Sequence, residues 1–214
     1  MPQNIVPITR VLMSVTEKKG IGQLGAFFSS VGVEILSTGG TAKELRDKFA
    51  KVVEVSDYTG FPEAFDGQVK SIHPKIAGGI LYKRDNPDHV KRAKELGIEP
   101  IDAVMVNFYD FVGTALETDD MKTVIKNIDI GGPSLVRAAA KNADSVVAIV
   151  DPDDYPELRS EYELYGGTTG IFRERMQEKA FRRTRDYDAS IHQWFHMQEQ
   201  RRKERVAAIS NVPN

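Results

Sequence analysis

The stretch VEILSTGGTAKELRDKF, Val33 to Phe49, joins a short apolar, β-branched run to a polar segment of helical spacing through two glycines set between two threonines. That order reads as strand, tight turn and helix, since glycine tolerates the close backbone approach such a turn demands. A helix start also leaves N–H groups without intrahelical partners, so the same turn is a candidate anion cradle. Thr38 and Thr41 flank Gly39 and Gly40 with hydroxyl donors. Neither the GxxxxGKS/T of a nucleoside-triphosphate loop nor the GxGxxG of a dinucleotide fold is present there, which leaves a monophosphate as the expected ligand.

Outward from this turn the alternation continues. Short apolar runs predict strands at Arg10 to Val15, Val33 to Ser37, Val52 to Val55, Asp102 to Phe108 and Val146 to Val150, with a further apolar piece around Ile80 to Tyr82. Helical periodicity predicts helices at Gly20 to Val31, Thr41 to Phe49, Asp88 to Leu96, Met121 to Asn127 and Pro133 to Ala143. Strands alternating with helices imply a doubly wound α/β sheet, whose ligand crevice lies beyond the carboxyl ends of the strands. SVTEKKG, STGGT and NFYDF follow three of those strands, while DGQVKSIHPKIAGG and NIDIGGPSLVRAAAKN are read as loops and a helix start that add Gly, Asp and Lys. Past Asp151 the character changes, and a long polar helix is expected from about Ile171 to Val206, with a frayed tail over Ile209 to Asn214. Between Arg173 and Arg205 basic residues outnumber acidic ones by only ten to six, which reads as a solvated or dimer-packing helix and not an RNA-binding arm.

Composition excludes several classes. At 214 residues the chain suits one buried core with an appendage. With 29 basic and 31 acidic side chains it has no field that favours nucleic acid or a membrane surface. It contains no cysteine, so disulfides, thiolate metal sites and a cysteine nucleophile are excluded. No run approaches the roughly 18 apolar residues of a membrane span, and a cytoplasmic location is the expectation. His192 and His196 have metal-ligand spacing, yet no third ligand is evident and they read as surface or interface residues. His73, before Pro74, reads as a residue that braces a loop.

Two further motifs carry candidate chemistry. Ser14, Thr16 and Lys18, leaving the first strand, are placed to complete the cradle at Thr38 to Thr41. In NIDIGGPSLVRAAAKN, Asp129 precedes the Gly131–Gly132 turn, Pro133 suits a first helical position, and Lys141 falls within the helix. The residues alone leave two readings open: a cap with a surface lysine, or an acid that orients a lysine beside N–H groups able to hold an oxyanion.

Taken together, SVTEKKGI, STGGTAKELRD, VSDYTGFPEAFDGQVKSIHPKIAGGIL, NFYDF and NIDIGGPSLVRAAAKN resemble, in order and spacing, the IMP cyclohydrolase domain of the bifunctional purine-biosynthesis enzyme whose other half is AICAR formyltransferase. The resemblance runs from about Arg10 to about Tyr155 and resumes faintly at KAFRRTRDYDASI. It implies a methylglyoxal-synthase-like three-layer α/β fold with a mostly parallel sheet and a C-terminal helical appendage, divided into residues 1–155 and 156–214. It implies closure of 5-formamidoimidazole-4-carboxamide ribonucleotide (FAICAR) to IMP in a homodimer, with no metal and no organic cofactor. By motif, Ser14, Thr16, Glu17, Lys18, Thr38, Gly39, Gly40 and Thr41 would hold the nucleotide, chiefly its phosphate. Val69, Ser71, Val106, Asn107, Ile130 and Gly131 would line the base, and Lys70, Tyr109, Asp129 and Lys141 would form the catalytic group, with Asp129 holding Lys141.

The chain departs from the family pattern in places. Thr16, Glu17 and Lys19 vary the first loop; Gln68 occupies a nucleotide-site position where the family carries arginine; Asp110 replaces a proline and Ala77 a histidine. A guanidinium is a strong planar donor, so Gln68 bears on affinity. The chain's length leaves no room for the formyltransferase half: a separate AICAR formyltransferase is the expected partner if this is the whole protein, and a truncated piece of the longer enzyme is the alternative. Methylglyoxal synthase and a non-catalytic nucleotide-binding regulatory module are the competing readings.

Overall fold

A computed structural model describes residues 4–65 and 67–210, which leaves Asp66 of the DGQVKS motif and residues 211–214 of the expected frayed tail outside the described residues. In chain order the elements are β1 (Val6–Pro7), β2 (Arg10–Ser14), α1 (Ile21–Ser30), β3 (Glu34–Ser37), α2 (Gly39–Asp47), β4 (Val53–Glu54), α3 (Val55–Thr59), α4 (Pro74–Leu81) and α5 (Pro87–Glu95). There follow β5 (Ala103–Val106), α6 (Phe111–Glu117), α7 (Met121–Lys126), α8 (Gly131–Lys141), β6 (Val147–Ile149), a 3-10 turn at Pro152–Asp154, α9 (Tyr155–Tyr165), β7 (Gly167–Thr168) and α10 (Gly170–Ser210).

Five strands form one sheet in the order β4-β3-β2-β5-β6, and every pairing in it is parallel. From β2 the chain builds outward through β3 to β4, then crosses back to place β5 and β6 on the other side. The order therefore reverses between β2 and β5, where doubly wound sheets open their ligand crevice. Both sheet faces are covered. Val11, Met13, Ile35, Met105 and Ile149 join a core with Ile21, Leu24 and Phe28 of α1, Leu45 of α2, Leu158 of α9, and Phe172 and Met176 of α10. The alternate residues Leu12, Leu36 and Val104 are equally buried, and α8 packs on β5 and β6 with α4 against α8. Burial on both faces explains why Ala103–Val106, AVMV, is apolar throughout, with no alternation. β1 and β7 form a separate antiparallel pair.

The chain groups into two compact units: one runs up to Phe108 and includes Asp129–Arg182, the other comprises Tyr109–Ile128 and the chain from Arg183 onward. In the first, Arg173 is 1% exposed and donates to the carbonyls of Asn4, Ala143, Asp144 and Thr168, tying the β1–β7 ribbon to the end of α8. In the second, Phe111 is buried with its ring edge-on to Tyr187 and Trp194, and Asp110 and Asp120 cap α6 and α7. Asp110 thus serves as a helix cap where the family has proline.

Several expectations need correction. The piece expected around Ile80 to Tyr82 is not a strand: Ile80 and Leu81 end helix α4, which opens with Pro74 and is capped by His73 Nδ1 accepting from Lys75 N at 3.1 Å. Two glycines interrupt that helix and weaken its sequence signal. Gly79 is there because a Cβ would lie 2.6 Å from the Glu99 carbonyl oxygen. HPKIAGG is accordingly helix and not loop. Helices α3, α6 and α9 were also unforeseen, α2 begins two residues earlier than expected, and α10 remains helical through Ser210, where fraying was expected.

Candidate functional site

At the carboxyl end of β2 the chain turns through Val15 to Lys18 beside the start of α2. Thr41 closes this turn: its Oγ1 accepts from Val15 N at 3.0 Å and donates to Val15 O at 2.9 Å. Lys18 Nζ donates to Thr41 Oγ1 at 3.0 Å and to Val15 O, and its Cε lies 4.0 Å from where a Cβ on Gly40 would sit. The lysine is thus folded toward Gly40. Ser14 Oγ and Thr38 Oγ1 are 3.2 Å apart, joining the ends of β2 and β3. Thr38 precedes the helix without a side-chain capping bond, so its hydroxyl does not occupy the first-turn N–H groups. Glycines 39 and 40 are exposed at that start. An open helix terminus with a lysine above it binds anions through both the backbone donors and the helix dipole.

The cradle continues into the segment around Lys70. Burial lowers the Lys18 pKa, Glu44 on α2 opposes that shift, and the Lys70 ammonium adds to it. Residues 64 and 69 pair as an isolated antiparallel bridge, with Phe65 and Gly67 at positive φ in the intervening turn. Lys70 Nζ stands 3.7 Å from a Cβ built on Gly67. Gln68 is exposed and Val69 half-buried. Ser71 is 9% exposed, and its Oγ lies 3.2 Å from a Cβ built on Gly131, which places this segment against the start of α8. There Asp129 Oδ1 accepts from Gly132 N at 2.8 Å, and a side chain on Gly132 would strike that carboxylate. Ile130, 65% exposed, stands out from the same turn. Lys18 therefore feels the charge of Lys70, and Ser71, next in the chain, abuts the start of α8 beside Asp129, so these expected residues follow one another as neighbours.

Three expected residues fall elsewhere. Val106 is 2% exposed, so its side chain belongs to the core. Tyr109 opens the second compact unit and is 40% exposed. Lys141 is the last residue of α8 while Asp129 precedes the first. Ten residues of helix rise about 15 Å and a lysine reaches less than half of that, so Asp129 does not hold Lys141 within one chain. The two are close in sequence and sit at opposite ends of one helix.

Asn107, 7% exposed, was expected along the base. Its Oδ1 accepts from Thr16 N at 2.5 Å and Glu17 N at 3.0 Å, and its Nδ2 donates to Glu17 O at 3.2 Å. Asn107's grip on the first loop, and Glu44's opposition to the lowered Lys18 pKa, are contributions that no local spacing reveals. Among the described residues no three His, Cys, Asp or Glu side chains converge to hold a metal, and no helix is long and apolar enough to cross a membrane.

Known proteins place this crevice in a lineage. Residues 20–134, which contain Thr38 to Thr41, Lys70 and Asp129, match the model of the MGS-like domain. The chain belongs to the MGS-like family. Residues 139–212 match the model described as AICARFT/IMPCHase bienzyme, so the chain as a whole corresponds to the IMP cyclohydrolase domain of PurH. It is 48% identical over 192 residues to the bifunctional purine biosynthesis protein PurH of Dinoroseobacter shibae, covering 89% of this chain and 36% of that protein. With PurH of a Thermoanaerobacter species it shares 48% over 186 residues, covering 86% and 37%. The chain thus spans little more than a third of these curated relatives. Among solved structures, the crystal structure of ForH superposes with a TM-score of 0.75 at 32% identity, covering 88% of this chain and 98% of that one. The MGS-like fold expected from sequence is therefore the fold present, with its sheet wholly parallel.

Proposed function

We propose that this chain is an IMP cyclohydrolase, closing FAICAR to IMP with loss of water, with residues 1–155 as its nucleotide-binding domain and 156–214 as a helical extension. The observation that carries the proposal is the run of neighbours from the Gly39–Thr41 cradle through Lys18, Lys70 and Ser71 to Asp129, with an anion site at one end and a lysine and a carboxylate at the other. Relatives named for purine biosynthesis over nearly 90% of the chain support the same reading.

In the reaction the carboxamide nitrogen attacks the formamide carbon and the carbonyl oxygen becomes an oxyanion; that oxygen departs as water after taking up two protons, one released by the attacking nitrogen and one by the formamide nitrogen, which forms the new C=N bond. Both partners are weak, so catalysis rests on orientation and on charge placed at the oxygen. The cradle anchors the 5′-phosphate. Lys70 stabilises the oxygen, and Asp129 receives the amide proton. Lys141, out of reach of Asp129, has no place in that contact. A homodimer and a formyltransferase supplying FAICAR complete the proposal.

The test is to mix the purified chain with FAICAR and follow the ultraviolet change as the purine ring closes. Turnover supports the proposal; IMP binding without turnover identifies a nucleotide-binding regulatory module instead. A pH series adds a second check. Phosphate binding favours charged Lys18, so bound nucleotide raises the pKa that burial and Lys70 lower in the free chain. Affinity is accordingly greatest below the free-chain pKa and falls as pH rises from it toward the bound value. IMP affinity is expected to decline on the alkaline side at a lower pH than an ordinary lysine would give, and Lys18→Arg to remove the decline. A flat profile in the unmodified chain contradicts this assignment of Lys18.

A further inference from the structure

We propose that Asn107 is a positioning residue that sets the phosphate loop from across the sheet's switch point, and does not serve mainly as a base contact; this rests on the nucleotide reading of the cradle. β5 ends one residue before Asn107, and β2 ends two before Thr16, on neighbouring parallel strands. Side chains at such strand ends face the crevice, yet three of the four hydrogen bonds the Asn107 amide can make go to the backbone of Thr16 and Glu17.

The consequence is specific. Two successive N–H groups of the loop turn inward onto the Asn107 oxygen, so they are not donors to a ligand. What the loop presents to an anion is its side chains, the Thr16 hydroxyl and the Lys18 ammonium, while backbone donors come from the start of α2. Glu17 is held at both its N–H and its carbonyl, which fixes the path of the chain one residue before Lys18. With Thr41 gripping Val15 on the other side, the four-residue loop is clamped at each end by a buried side chain from a different element. Without the Asn107 clamp, Lys18 loses its fixed position beside Gly40.

The test compares IMP with inosine, which has the same base and ribose and no phosphate, binding each to the full chain and to Asn107→Ala by calorimetry. If Asn107 sets the phosphate loop, the IMP affinity falls on the order of tenfold to a hundredfold, the scale on which misplaced binding groups act. Inosine affinity stays within about twofold under the same proposal, so the preference for IMP shrinks by nearly the whole loss. Equal losses for the two ligands show a base contact and overturn the proposal, as does a chain that never prefers IMP to inosine. Asn107→Asp keeps the shape and both N–H acceptors, which covers the case in which the alanine variant fails to fold. It turns the Glu17 carbonyl against a carboxylate and brings negative charge to the loop, so it too is expected to lose IMP selectively. In FAICAR turnover the variants are expected to raise KM with kcat changed far less. Absence of turnover in the unmodified chain refutes the cyclohydrolase reading while leaving the IMP and inosine comparison to decide the role of Asn107.

Discussion

Asp102→Ala is expected to destabilise the chain by about 3–5 kcal/mol, the range for breaking a buried ion pair by removing one partner. The Asp102 side chain is 3% exposed at the start of β5, and its carboxylate collects four donors: Thr9 N at 2.6 Å, Thr9 Oγ1 and Arg10 N at 2.9 Å, and Arg84 Nη1 at 2.6 Å. Arg84 also donates to Ile101 O, but its Nε is buried with no hydrogen-bond partner. Alanine would strand that guanidinium, itself only 22% exposed, along with the two backbone N–H groups that lead into β2. The loss is therefore chiefly the cost of groups left unpaired, not the net strength of the ion pair. Denaturant titration of Asp102→Ala, Arg84→Met and the double variant checks this: the double variant is expected to lose clearly less than the sum of the single losses, because no charge remains stranded. Additive losses, or a loss under about 1 kcal/mol for Asp102→Ala, contradict it.

That carboxylate lies at the opposite edge of the sheet from the crevice, and nothing local in the sequence marks it. Asp102 stands 93 and 92 residues from two of its donors, Thr9 and Arg10. The same separation hides what Asn107, expected only as a ligand contact, grips: its partners Thr16 and Glu17 are 91 and 90 residues away. The cradle was legible because its parts are consecutive: Ser37 to Thr41 hold the strand end, the glycines and the first helical turn. The parallel sheet was legible because strands buried on both faces become short, unbroken apolar runs. Helix α4 was hidden because two glycines sit inside it for reasons of fit, Gly78 against Ile98 and Gly79 against the Glu99 carbonyl. Lys141 shows the opposite error. Proximity in sequence stood in for proximity in space, and an eleven-residue helix separates the two ends of the motif.

Asp129→Asn and Lys70→Met are each expected to lower kcat for FAICAR closure by about 10²- to 10⁴-fold, the scale of general acid–base assistance and charge stabilisation at a reacting oxygen. Asp129→Asn is the cleaner of the two. The Asp129 carboxylate caps α8 by accepting from Gly132 N, and an asparagine oxygen keeps that bond while losing the charge that takes up a proton. Melting temperature is therefore expected to be nearly unchanged as kcat falls, which separates a chemical role from a structural one. If kcat holds, Asp129 is only a cap. Lys70→Met carries an additional signature that no general damage to the fold would imitate. Lys70 is a like charge that lowers the Lys18 pKa, so removing it is expected to move the alkaline decline in IMP affinity to higher pH. A variant with lost turnover and an unmoved pH profile would place Lys70 away from the cradle and break the continuity from phosphate to reacting centre on which the proposed function depends.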